Sequence, residues 1–480
     1  MSPKTKKRLL LSSSALLVLI GILWWSRSGS TEIDRYKAQL LAQGEILDID
    51  KLAPIRTGNE PDGDLPLQSA VRQLSPNSLL LPVGQLLPNL QSNNLLRLEW
   101  LSHPKATNQT QRAPLWQQAE TEIANRRADF QLLHTAMQNP PHEKGADYRK
   151  FTSGYPSANF VQRRSVAQLL SQVVTTDIHT RHPGEATTNM LTLLDMCEHH
   201  REEWTLVNQM IRVAITRLSL DTFQYGLDTH TWTDPELATF QSRIASISLV
   251  TNLSHSLLYE RAQGIRAFAE SRKSAEAMSS NLLSTASSVG DRFLMRYWAN
   301  FDADEDELGY LRYTQAQLDI LRHRRESHAW AGVMEEMATL PEQYRFRREG
   351  FLAYRKFLLS DALSYYLAKS ISTLAFTETR RLQTITAIAL ERHRLKHGHY
   401  PDTLAQLIPD YLTQIPQDPM DGCPLRYRLN PDGTFTLWSA GFDGQDNGGD
   451  FSMPDPKKQN FPHDARDLIW PRLDPIDLPQ

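Results

Sequence analysis

The densest run of chemistry-bearing residues in this 480-residue chain is Ser439-Ala440-Gly441-Phe442-Asp443-Gly444-Gln445-Asp446-Asn447-Gly448-Gly449-Asp450-Phe451. Asp443, Asp446, Asn447 and Asp450 fall within eight residues, among four glycines. Calcium takes about six to eight hard oxygen ligands, and a Gly-rich loop bends tightly enough to turn several carboxylates and backbone carbonyls inward. The composition suits a calcium loop. It also suits a polar surface turn, because Asp, Asn and Gly are the ordinary turn residues. The spacing is not that of an EF-hand, which requires alternate oxygen donors, a central Gly and a closing Glu.

Other candidate groups are weaker. Cys197-Glu198-His199-His200, with Glu202 and Glu203, concentrates soft ligands. Neighbouring residues on a helix point about 100° apart, so the two imidazoles cannot face one metal, and the cluster reads as a solvated helix end. His393, His397 and His399 read as surface or helix-end residues, and Arg322-His323-Arg324-Arg325 as a solvated basic face. The chain has no G-x-S-x-G elbow, phosphate-binding G-x-x-x-x-G-K-[ST] loop, H-E-x-x-H or strand-borne G-x-G-x-x-G. No catalytic residue is assigned, and the reading is a binding or scaffold protein. The alternative is an envelope hydrolase whose site is assembled from dispersed residues of the helical region. A cleft with three or more converging His or carboxylate groups would favour the hydrolase, and an exposed apolar groove between helices the scaffold.

Composition narrows the classes. Fifty-two Lys plus Arg against 55 Asp plus Glu give a net charge of −3, which leaves no broad electrostatic reason to bind nucleic acid. Forty per cent apolar residues indicate a globular chain. Two cysteines, Cys197 and Cys423, exclude a disulfide framework or a Cys-rich zinc module and leave at most one disulfide, which the sequence does not decide.

The elements that must position these groups follow from pattern. Lys4, Lys6, Lys7 and Arg8 precede the uncharged stretch Leu9 to Trp25. That arrangement predicts a cytoplasmic start and a transmembrane signal-anchor over residues 1–30, with a cleaved signal peptide as the rival. The expected setting is a single-pass protein of a bacterial inner membrane, held by residues 9–25, with its C-terminal bulk periplasmic. Residues 31–108 are broken by prolines and read as a linker with a short helix near Ile33 to Gln43. Residues 109–376 read as a helical region of antiparallel hairpins. Within it Thr233-Asp234-Pro235 is a helix start, followed by Leu237, Phe240, Ile244, Ile247 and Val250 at helical spacing. Residues 377–480 read as a small α+β domain with a Pro-rich tail. Its helix carries Leu382, Ile385, Ile388, Ala389 and Leu395 and stops at His397-Gly398. Leu425 to Leu429 and Thr434 to Trp438 alternate with period two about Asn430-Pro431-Asp432-Gly433, which predicts a β-hairpin, and Asp467 to Trp470 is a further strand-like piece. The fold class is mainly α with a small C-terminal α+β unit.

Within that unit, Leu390-Glu391-Arg392-His393-Arg394-Leu395, His397-Gly398-His399-Tyr400-Pro401, Ile415-Pro416, Asp418-Pro419, Tyr427 and Ser439-Ala440-Gly441-Phe442-Asp443-Gly444 stand in an order that resembles the globular domain of type II secretion major pseudopilins. The resemblance covers roughly residues 370–470. It implies a long helix packed on a small antiparallel sheet, a secretion-system or other envelope protein as partner, and a calcium loop. Ser439, Asp443 and Asp467 match ligand positions of that family, so the metal set becomes Ser439, Asp443, Asp446, Asp450 and Asp467. Two features depart from the family: Gly448-Gly449 lies one residue later, and a Pro-containing insertion separates Asp467 from it. The helical region also stands where pseudopilins join membrane helix directly to globular domain, so a filament subunit is not expected. The whole arrangement, including Tyr259-Glu260-Arg261-Ala262, resembles large membrane-anchored proteins of planctomycete and verrucomicrobial type, a likeness that names no activity.

Overall fold

Thr233 shows how local chemistry sets the helix ends. Its N–H and its hydroxyl both donate to Glu236 Oε2, at 2.9 and 2.7 Å, and the helix that follows buries Leu237, Phe240 and Ile244. The helix stops at Ser246, one residue before Ile247 turns extended, so Val250 begins the next helix instead of continuing this one.

A computed structural model describes residues 32–52, 65–74, 117, 119–138, 160–198, 201, 204–273, 296–344, 357–363, 367–450, 452 and 466–470. Among them the main helices are α1 (32–42), α2 (Ile49–Leu52), α3 (Leu65–Leu74), α4 (Arg127–Gln138), α5 (Phe160–His179), α6 (Pro183–Glu198), α7 (Leu206–Asp228), α8 (Asp234–Ser246), α9 (Val250–Lys273), α10 (Ala303–Ser327), α11 (Val333–Gln343), α12 (Leu358–Leu363) and α13 (Leu367–His397), with further helical turns at 119–125 and 296–301. A 3-10 turn, Leu404–Leu407, follows. The strands β1 (Arg426–Leu429), β2 (Phe435–Ser439) and β3 (Leu468–Trp470) form an antiparallel sheet in that order, with Tyr427 opposite Leu437 and Leu437 opposite Trp470. The chain is thus mostly helical with one small sheet near its C-terminus, as the patterning predicts.

α5 packs on α6 and α7, and α9 on α10, which gives the expected helix-on-helix layers. The 31-residue α13 lies at the centre, against α7, α8, α11 and β2. Arg380 and Gln383 on α13 donate to the carbonyls of Ile469 and Leu468, and the Arg380 guanidinium stands 4.5 Å over the Trp470 ring. These bonds pin β3 to the helix. The boundary expected at 376/377 falls inside α13. Phe376 shares one continuous hydrophobic cluster with Val166 and Leu194 of the helical region and with Leu437 and Trp470 of the sheet. Close approach also shapes this core: a Cβ on Gly226 would come within 2.1 Å of the Trp232 indole, which stacks on Phe223 at 4.5 Å.

The step Tyr259 to Ala262 ties the N-terminal segment to the helical body. Arg261, fully buried, bonds Glu45 at 2.8 Å and also Gln315, while Arg322 closes on Glu45 from the surface side. Burial pushes the Glu45 carboxyl up, but hydrogen bonds from Arg322, Arg261 and Gln315 outweigh it and hold it down at about 2. Arg324 pairs with Glu336 at 2.7 Å. The run from Arg322 to Arg325 is therefore no open basic face, because two of its guanidiniums close contacts between segments.

The membrane placement requires correction. Among the described residues no helix is long and apolar enough to cross a membrane, which stands against the expected single-pass protein and its inner-membrane localisation. Leu9 to Trp25, on which the expectation rested, lie outside the described residues. The cysteines are unpaired: Cys423 is exposed, and Cys197 is buried with its Sγ 3.3 Å from Ser219 Oγ, burial pushing its thiol up to about 11.

Candidate functional site

The loop after β2 gathers four of the five residues expected to hold calcium, and each is already bonded. Gly448 and Gly449 both take positive φ, 71° and 85°, which turns successive amides toward Asp467. Asp467 Oδ2 accepts from the Gly449 N–H at 2.7 Å and the Asp450 N–H at 3.1 Å, and Oδ1 from Asn447 N–H at 3.2 Å. The carboxylate thus fills a nest of amides of the kind that binds anions. Asp446 accepts from Trp438 Nε1 at 2.8 Å and the Gly448 N–H at 3.0 Å, with Arg426 Nε 3.4 Å away. Asp450 is met by Ser452 and by Arg466 at 3.1 Å. Asp443 closes a turn on the Gln445 N–H and accepts from Asn447 Nδ2 at 3.4 Å.

Ser439 is turned away from the loop and donates to Asp418 Oδ1 at 2.7 Å. Asp418, fully buried, also accepts from the Ala440 and Met420 N–H groups and from Arg426 Nη1 at 2.6 Å. Asp418 and Arg426 form the hub of this corner, and neither stood out as functional in the sequence. Calcium needs several oxygens converging on one point. Here two guanidiniums and a set of amides already hold those oxygens, and among the described residues no three His, Cys, Asp or Glu side chains are grouped to hold a metal ion. The donor set as placed does not fit a calcium cage.

A second region meets the requirement for converging titratable groups. An open cleft of about 470 Å³ lies between the helical turn 119–125, α4, the end of α5 and the start of α6. Phe130 and Val173 give it an apolar wall, while Asp177 and Asn189 line it as buried polar residues. Asn189 Nδ2 donates to Asp177 Oδ2 at 2.7 Å, which turns Asn189 Oδ1 toward His134 Nε2 at 2.8 Å. The oxygen can only accept, so His134 carries its proton on Nε2 and its Nδ1 is left as a basic lone pair. Burial lowers the His134 pKa against the opposing Asn189 bond, which keeps the ring neutral. Burial raises Asp177 to about 7; the Asn189 bond lowers it, Glu185 raises it, and His182 and Arg127 lower it. At the mouth His182 Nδ1 stands 3.9 Å from Glu120 Oε1.

His134, Asp177 and Asn189 come from three helices, so no local spacing marks them. The available signals are a carboxylate set directly after the apolar run of α5 and an amide set before Met190 on α6. The cluster at Cys197 contributes differently from the expected solvated end: the Cys197 carbonyl accepts from the buried Arg212 at 2.8 Å, and Arg212 pairs with Glu198 at 2.8 Å. His199 and His200 lie outside the described residues. His393 is buried and bonds the His399 carbonyl at 3.0 Å, so it closes the turn after α13. No family model, curated protein or solved structure matches the chain.

Proposed function

We propose that this chain is a binding protein whose small polar ligand occupies the cleft between α4, α5 and α6. The observation that carries the reading is the bonded series of half-buried His134 with buried Asn189 and Asp177, lining an opening large enough for a ligand. A buried polar series is costly unless it is needed for packing or for recognition, and this one lines a cleft. Ligand screening by thermal shift on the full chain tests it: binders should lose affinity at least tenfold in Asn189→Ala and keep it in Asp443→Ala. Binders that tolerate Asn189→Ala would move the site elsewhere.

One observation favours hydrolysis as a second reading. An imidazole that lines a cleft and is held by an amide has the arrangement of a general base whose orientation a neighbour fixes. His134 would then take a proton from water attacking the bound substrate. Turnover of any bound ester, amide or glycoside that vanishes in His134→Gln, with binding retained, would support it.

The likeness of the C-terminal unit to pseudopilins, with a secretion-related partner, remains a proposal supported by α13 lying on β2 and by Asp467 closing the Gly448-Gly449 loop. Calcium at that loop would compete with Arg426 for Asp446 and with Arg466 for Asp450.

A further inference from the structure

We infer that the ligand of this cleft carries an ammonium group seated on Asp177, an inference that rests on the binding reading above. Asp177 is 6% exposed, and its carboxylate takes one hydrogen bond, from Asn189 to Oδ2, and no ion pair among the described residues. Its Oδ1 is left as an acceptor on a cleft-lining side chain. A buried carboxylate held by a single amide and no ion pair is costly, and a charged N–H donor is the group that offsets the cost best. His134 lines the same cleft and carries a second acceptor on its ring, so a primary ammonium has more than one acceptor to meet there.

The mouth repeats the preference. Glu120 and Glu185 line it with Arg127 as the one guanidinium, so carboxylates outnumber fixed cations around the opening. The N-terminus of α6 could attract an anion in principle, but its first turn already carries Glu185. An anionic ligand would meet three carboxylates, and a neutral one would leave Asp177 without a counter-charge. The volume accommodates a small amine with a chain or ring resting on Phe130 and Val173.

Calorimetric titration of the full chain tests this with ethanolamine, putrescine and benzylamine against ethylene glycol, 1,4-butanediol and benzyl alcohol, with inorganic phosphate as the anion. The expected result is that at least one amine binds tenfold or more tightly than its alcohol. Asp177→Asn, which keeps the shape, should remove most of that preference without lowering the melting temperature, and Glu185→Gln at the exposed mouth should weaken it several-fold. An alcohol that binds as tightly as its amine, or an amine that ignores Asp177→Asn, overturns the inference. Preferred binding of an alcohol or of phosphate that Asn189→Ala abolishes overturns the ammonium claim while the cleft reading stands. Failure of all seven probes overturns the ammonium claim, and the cleft reading then falls only if the wider screen also fails.

Discussion

Asn189 holds the cleft together because an amide can donate to an acid on one side and accept from a ring nitrogen on the other. Removing it in Asn189→Ala strips the buried Asp177 and His134 of their common partner, at a cost of about 1–3 kcal/mol, the usual penalty for unsatisfied buried polar groups. Urea denaturation reads this directly. Asn189→Asp should cost more at pH 8 and recover as pH falls below about 7, because two adjacent carboxylates must share a proton. Cys197 gives a contrasting case. Burial keeps its thiol protonated, so alkylating reagents should react with exposed Cys423 and spare Cys197 in the folded chain.

At the scale of elements, Asp467 closes the loop after β2 by accepting from the Asn447, Gly449 and Asp450 amides. Asp467→Ala leaves three amides without their acceptor and should loosen β3, which hydrogen exchange at Leu468 to Trp470 would detect. For the same reason millimolar calcium should leave the melting temperature of the unmodified chain unchanged. A rise cancelled by chelator and by Asp443→Ala would restore the calcium cage. The hairpin and the helix starting at Asp234 were legible in the sequence because period-two alternation, Asn430 to Gly433 and a capping box are local signals. The cleft was not, because residues 134, 177 and 189 meet only through the packing of α4, α5 and α6. The boundary expected at 377 falls inside α13 for a related reason. The apolar face of α13 runs on through Phe376, and composition alone does not show that helix and sheet share a core. The segment 32–52 is held by ions as well as by the apolar contacts of Ile33, Ile49 and Leu52. Glu45 sits low, so its pairing with Arg261 and Arg322 contributes stability above pH about 4.5 and loses it as pH falls toward about 2. Limited proteolysis should release this segment at pH 3 and spare it at pH 6.

Across the whole molecule the buried carboxylates set the response to pH. Burial raises Asp177, Glu260 and Asp306 to about 7. Each holds its proton more tightly folded than unfolded, so each contribution is full below the ordinary carboxylate range and declines as pH rises through the folded value. Glu45 and Glu391 act in the opposite sense at low pH. The melting temperature should therefore be higher near pH 5.5 than at pH 8, and a maximum above pH 8 would contradict these assignments. The central claim, that the cleft is the binding site, is tested most directly by hydrogen–deuterium exchange over the full chain with and without the tightest-binding probe. The account predicts protection in residues 120–135 and 173–190, lost in Asn189→Ala. Protection confined to residues 439–452, or no protection anywhere at a saturating concentration, would contradict it.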